Sequence, residues 1–298
     1  MSKSTVNFIK PLIRAFKIAV YNKETAWFRL PIHGKMNFGL PSLVHDVDVK
    51  QLTNDNIPYG IFTPKKPKQN SLIMFIHGGG FSVCSYKMYK HLLKAIASES
   101  NQIIYALDYR LAPEYPFPAG LEDCYNFYNF LKLKNPDSKI IVGGDSAGGG
   151  LVFSLVLKLQ ASNQILPSRI FAFSPWADLT ISAESYDMQA KLDPLIDKKS
   201  ADVWAKRYLA GEAPTNILAS PVFAELKNFP FVFLHVGTDE TLLGDSRKLF
   251  QKLSAQHCVL NYKEWDGMIH VFQIMYPFLE EARKSIAELL KFIDEDNM

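Results

Sequence analysis

Short, uninterrupted apolar runs separated by segments of helical period constrain this chain more than any other feature. Ser71–Ile76, Gln102–Leu107, Lys139–Val142, Arg169–Phe173 and Phe231–Val236 lack the polar alternation of a half-solvated strand, so each reads as a strand buried on both faces. Between and after them, Met88–Ser98, Ala119–Leu133 and a stretch from about Leu243 to Gln256 carry helical patterns. A last strand over Val259–Glu264 and a long helix from about Pro277 to Ile293 follow. Such alternation predicts an α/β chain with a mostly parallel central sheet, helices on both faces and right-handed crossovers.

Two regions break the rhythm. Upstream, Val44–Gln51 and Ile57–Phe62 read as an antiparallel hairpin closed off by Pro64-Lys-Lys-Pro67. From Trp176 to Phe229 there are Asp- and Pro-rich turns, one helix around Ser200–Leu209 and no buried strand, which fits an insertion laid over the sheet. The first 44 residues place Phe8, Leu12, Ile13, Phe16 and Val20 at helical spacing, then run through an aromatic, Pro/Gly-rich passage from Trp27 to Pro41. That segment needs a surface for its apolar face, either the core or the roof of a pocket. No linker divides the chain and no repeat is found, so residues 1–298 are read as a single domain.

With 298 residues, nearly half of them hydrophobic, the chain can bury a large core. Its 33 basic and 30 acidic residues are scattered without a basic block, which excludes nucleic acid and acidic membranes as implied partners. Cys84, Cys124 and Cys258 are odd in number and irregularly spaced, as expected of a cytoplasmic protein without a disulfide framework or zinc site. Lys10, Arg14 and Lys17 interrupt any signal-peptide core, and no run approaches the length of a membrane span.

The third apolar run breaks in an informative way. Lys139-Ile-Ile-Val-Gly-Gly-Asp-Ser-Ala-Gly-Gly-Gly-Leu151 is a strand, a sharp turn and a helix start, with Gly144 and Gly148 flanking Ser146 where any Cβ would clash across the turn. This is the G-x-S-x-G nucleophile elbow, which presents a serine hydroxyl at a helix N-terminus in a strained backbone conformation. A phosphate-cradling glycine loop is the plainer alternative, but no P-loop lysine follows and no G-x-G-x-x-G frames the serine.

A serine hydroxyl is a poor nucleophile near neutral pH, so Ser146 needs a base and the base needs an orienting acid. In folds that carry this elbow the order is Ser, acid, His, which confines the search to residues after 146. His235 falls within a buried strand and His257 at the polar end of a helix. His270, in the loop Trp265-Asp-Gly-Met-Ile-His-Val-Phe272 at a strand's C-terminal end, is the base of choice, since catalytic groups of α/β sheets gather at that edge. For the acid, the loop Gly237-Thr-Asp-Glu240 puts Asp239 first and Glu240 as its immediate rival. Asp193, Asp245 and Asp266 are weaker candidates. A carboxylate here fixes the imidazole tautomer and stabilises the imidazolium, whereas an isolated Asp239 would read as a helix cap. His77-Gly-Gly-Gly80 follows an earlier central strand, so the N–H groups of Gly79 and Gly80, with that of Ala147, are the expected oxyanion donors. His77 itself is read as shaping that loop.

Taken together, His77-Gly-Gly-Gly-Phe81, Asp108-Tyr-Arg-Leu-Ala-Pro-Glu114, Gly144-Asp-Ser-Ala-Gly-Gly149, Gly237-Thr-Asp-Glu240 and Trp265-Asp-Gly-Met-Ile-His270 resemble, in order, the hormone-sensitive-lipase family of α/β-hydrolase carboxylesterases. The likeness runs from about residue 70 to 275 and falls in the subgroup with Asp before the serine; Asp145 is given no chemical role. The resemblance implies the α/β-hydrolase fold with a helical cap built from about 1–44 and 176–215. It implies Ser146, Asp239 and His270 as the triad, an oxyanion hole of Gly79, Gly80 and Ala147, no cofactor and no metal. The expected activity is hydrolysis of short- to medium-chain acyl esters through an acyl-enzyme, with a small-molecule ester as partner. A non-catalytic receptor on the same fold and an amidase or peptidase with the same triad are the alternatives, and a homodimer stays open.

Overall fold

The computed structural model describes residues 44–258 and 260–294, together with Val6, Lys10 and Pro11. The helix expected over 1–20, apart from those three residues, and the aromatic passage 27–41 lie outside the described residues.

Strands β1 (Val47–Asn54) and β2 (Ile57–Pro64) form the expected hairpin. The apolar runs become β3 (Ser71–Ile76), β4 (Ile103–Leu107), β5 (Lys139–Asp145), β6 (Arg169–Phe173) and β7 (Phe231–Gly237), and β8 (Leu260–Trp265) closes the sheet. The order is β1-β2-β4-β3-β5-β6-β7-β8, with β3 to β8 parallel and β1 and β2 antiparallel at one edge. Helices α1 (Lys90–Ser100), α2 (Ala119–Lys134), α3 (Ser146–Ala161), α6 (Leu243–Ala255) and α7 (Glu280–Asp294) cover it, while the short α4 (Ser185–Met188) and α5 (Lys198–Leu209) belong to the insertion.

Strand alternation sorts the core into two layers. Ile73 and Phe75 of β3 and Phe233 of β7 join Leu92 and Ile96 of α1 and Ile286 and Leu289 of α7 on one face. Leu72, Met74 and Ile76 join Leu121 and Phe127 of α2, Leu151 and Leu155 of α3 and the insertion's Trp176 and Tyr186 on the other. Each such fully buried aliphatic or aromatic side chain is worth roughly 1.5–3 kcal/mol over leaving it in water. Trp176 and Tyr186 of the insertion are thus core residues. No helix among the described residues is long and apolar enough to cross a membrane.

Register decides where the loops emerge. Ile76 pairs with Gly144, Asp145 with Phe173, Phe173 with His235, and Gly237 with Trp265. The parallel strands therefore end within a few residues of one another, and the segments beginning at His77, Ser146, Ser174, Thr238 and Asp266 gather along one edge of the sheet.

Helix α3 crosses β3 so closely that a Cβ on Gly148 would lie 2.2 Å from the Ile76 carbonyl oxygen, and one on Gly144 would lie 2.7 Å from both the Gly148 and Ile76 oxygens. These obstacles are backbone and cannot rotate away. Gly148→Ala is therefore expected to lower unfolding free energy by at least about 1–3 kcal/mol in urea titration; an unchanged midpoint would mean the helix has room to move.

Candidate active site

Asp145 ends β5 with extended backbone, and Ser146 turns into α3 with φ of 50°. A non-glycine residue in this region is strained, and here the strain holds a hydroxyl at the head of a helix whose first N–H groups have no intrahelical acceptor. The glycine loop after β3 lies directly against it. A Cβ on Gly78 would sit 3.0 Å from Ser146 Cβ and 2.4 Å from Asp145 Oδ2. Gly79 and Gly80 have φ of 110° and 57°, and the Gly79 carbonyl accepts from Ser82 and Val83 N–H at 3.0 Å each, which closes the turn. Among the described residues no hydrogen bond occupies the Gly79 or Gly80 N–H.

This loop is braced from two sides. The Gly78 N–H donates to Asp145 Oδ1 at 3.0 Å and the Tyr89 hydroxyl to Oδ2 at 2.8 Å. Burial pushes the Asp145 carboxyl up to about 7, against the opposing effects of the Tyr89 bond, the nearby His270 charge and the Gly78 bond. Asp145, without a role on sequence grounds, thus ties the glycine loop to the elbow; its place beside the serine was visible, but its partner was not. On the other side His77 Nδ1 lies 2.7 Å from the Gly78 carbonyl, its ring stacks on Tyr109 at 4.5 Å, and the Tyr109 hydroxyl donates to the His77 carbonyl at 3.0 Å. His77 is a shaping residue, as expected. The Asp108-Tyr-Arg segment supplies this support, and Arg110 is itself fixed by Asp123 through its backbone N–H at 2.8 Å and Nη2 at 2.7 Å.

The loop after β6 joins Ser146 to the His270 loop. Trp176 N–H donates to the Ser146 carbonyl at 2.8 Å, and Val271 N–H, next to His270, donates to Ser174 Oγ at 3.2 Å. Both residues are moored to one short segment. The turn after β7 is pinned to the His270 loop by Thr238 N–H to the Trp265 carbonyl at 3.0 Å, Asp239 N–H to the Met268 carbonyl at 2.9 Å and Gly267 N–H to Thr238 Oγ1 at 2.7 Å.

The acid needs correction. The carboxylate on His270 belongs to Glu240: its Oε2 lies 2.7 Å from His270 Nδ1, and its Oε1 accepts the Gly237 N–H at 2.9 Å. Asp239 is paired instead with Lys10 at 2.5 Å. Neighbouring residues in a tight turn project in different directions, and here Glu240 turns inward to full burial while Asp239 turns toward Lys10. Of the other candidates, Asp245 accepts the Ala177 and Asp178 N–H groups at 3.0 and 2.9 Å, and Asp193 is bonded to Thr241. His235 is a core residue that accepts from Trp265 Nε1 at 3.0 Å, and burial, helped by Lys263, drives its pKa down to about 3. His257 is exposed.

With the Nδ1 proton directed at Glu240, the Nε2 lone pair of His270 is left as the basic site. Burial disfavours the imidazolium, but the Glu240 hydrogen bond and charge, with the charges of Asp193 and Asp145, outweigh it and raise the His270 pKa. Burial likewise raises Glu240, with the His270 bond opposing. Among the described residues no group of three or more His, Cys, Asp or Glu could hold a metal ion.

Comparison with known proteins identifies the fold and the family. A family model described as alpha/beta hydrolase fold matches residues 73–274. An acetyl-hydrolase of Streptomyces hygroscopicus is 34% identical over 215 residues, covering 72% of each chain. The crystal structure of an esterase from the bacterial hormone-sensitive lipase family superposes with a TM-score of 0.89 at 33% identity, covering 97% of this chain and 96% of that one. The structure of EstE5 soaked with p-nitrophenyl butyrate gives 0.88 at 31% identity, covering 97% of each.

The two adjacent acids can be separated by titration. In histidine-ring NMR, His270 is expected to release its proton above the ordinary imidazole value near 6.5. Glu240→Gln removes the carboxylate that favours the imidazolium and leaves the burial, so the midpoint falls; Asp239→Asn leaves it close to wild type. The opposite ranking would return the acid role to Asp239.

Proposed function

For a chain that belongs to the α/β-hydrolase family, in its hormone-sensitive-lipase branch, we propose a serine carboxylesterase whose machinery is Ser146, His270 and Glu240. The observation that carries the assignment is the 2.7 Å contact between buried Glu240 and His270 Nδ1, on the sheet edge that also presents the strained Ser146. His270 Nε2 takes the Ser146 proton as Oγ attacks the ester carbonyl, and Glu240 stabilises the imidazolium. The N–H groups of Gly79, Gly80 and Ala147 receive the negative oxygen of the tetrahedral intermediate; losing one such donor costs about 10²- to 10³-fold in kcat. The imidazolium then protonates the leaving alcohol, and a water molecule, deprotonated in turn by His270, releases the acid.

The substrates are esters of short to medium acyl chains. Supporting this, the insertion sets an aromatic wall against the oxyanion loop: a Cβ on Gly80 would lie 2.9 Å from the Trp204 ring, Trp204 packs edge-on to Trp176 at 6.5 Å, and Phe81 stacks on Tyr208 at 3.8 Å. The acetyl-hydrolase relative points the same way. We assign the insertion of about 176–215, with the N-terminal segment, as the cap of a single-domain enzyme, and a cytoplasmic location suits its three free cysteines.

Ser146→Ala is expected to fold normally while losing p-nitrophenyl butyrate turnover by about 10⁶-fold, together with labelling by a fluorophosphonate probe. Wild-type turnover in that variant would remove the assignment. Across acyl esters from acetate to palmitate, kcat/KM is expected to peak at the short end, and a preference for palmitate would contradict the aromatic wall.

A further inference from the structure

Thr241, the residue after Glu240, is gripped by the insertion at each of its polar groups. Its N–H and its hydroxyl donate to Asp193 Oδ2 at 2.9 and 3.2 Å, and its carbonyl accepts from Ser185 Oγ at 2.5 Å. Ser185 Oγ in turn accepts the Gly244 N–H at 3.0 Å, which fixes the start of α6. The second oxygen of Asp193 accepts the Leu195 and Ile196 N–H groups at 2.8 and 2.9 Å. Donors thus converge on both oxygens of a carboxylate that is only 3% exposed, as suits an acceptor-only group.

From this we infer that Asp193 is a positioning residue for the Glu240–His270 pair: the insertion uses it to clamp the turn that presents Glu240, and it adds a second buried carboxylate beside that turn. The inference rests on the triad reading above. A clamp on the residue next to the acid restricts where the Glu240 carboxylate can lie, and misplacement of a reacting group by about 1 Å can cost about 10²-fold. The charges acting on His270 are Glu240 from the turn after β7, Asp193 from the insertion and Asp145 from the end of β5. Asp266 is exposed on the histidine's own loop, and Asp239, the neighbour of Glu240, is paired with Lys10. Around Asp193 itself stand Glu240 and the buried Tyr186 ring. The sign follows from Coulomb's law: a negative charge near His270 favours the imidazolium, so its removal lets the neutral base persist to lower pH.

The test compares pH profiles of kcat and kcat/KM on p-nitrophenyl butyrate for wild type, Asp193→Asn, Asp193→Ser and Ser185→Ala. Asn turns an NH2 group toward donors, whereas Ser keeps one small acceptor oxygen without charge, so the second variant serves should the first not fold. Both Asp193 variants are expected to lose kcat by roughly 10- to 100-fold and to move the acid limb to lower pH. Ser185→Ala, which loosens the clamp without changing charge, is expected to lose kcat with the limb in place. A folded Asp193 variant with wild-type kcat and limb overturns the inference. So does one whose kcat falls while its limb stays, because that is a brace without electrostatic effect. Failure of the triad is a separate result: it would show as turnover retained by Ser146→Ala.

Discussion

The chemistry depends on a contact between backbones. Helix α3 rides so low over β3 that the Ile76 and His77 carbonyl oxygens occupy the space a side chain at residue 148 would need. That approach puts the head of the helix beside the glycine loop leaving β3, so Ser146 and the proposed oxyanion donors become neighbours without either reaching. It also forces Ser146 into a left-handed conformation, because the chain must reverse from strand to helix at one residue. Ser146 and Ala147, with most of α3, are accordingly buried, and the surrounding core holds the turn in a state it would not adopt alone.

Strand register performs the next step. Because β5 and β6 end level and β7 and β8 end level two residues further on, short loops suffice to bring residues from distant parts of the chain to one edge. The loop after β6 has no reactive group of its own, yet the Trp176 N–H holds the Ser146 carbonyl and Ser174 Oγ holds the Val271 N–H. The positions of Ser146 and His270, the proposed nucleophile and base, are therefore backbone properties, set by ladders and turns, and side-chain chemistry is added to a frame already fixed.

This division explains what could be read from sequence. Strands buried on both faces leave continuous apolar runs, so the parallel sheet, its helices and the strandless insertion were legible, and elbow glycines announce a turn whatever surrounds it. Ser146, His270 and the glycine loop follow from position relative to those strands. The acid does not. Asp239 and Glu240 sit side by side at the same strand end with equivalent chemistry, and only the direction each side chain takes in the folded turn separates them. The same holds for Asp145 and Asp193: both are buried carboxylates whose partners, Gly78 and Thr241, are far away in sequence and carry no mark of the pairing.

The Glu240–His270 contact draws on parts of the chain that are made at different times. Ser146 and its glycine loop are made while β6, β7 and β8 are still unsynthesised, and the histidine loop follows the last of these strands. A nascent or truncated chain lacking those last strands would carry a strained serine and its anion-binding loop but no means of moving a proton. The proposed proton relay is thus completed in one step, only once the histidine loop has been made, and until then the half-made chain holds Ser146 without a base.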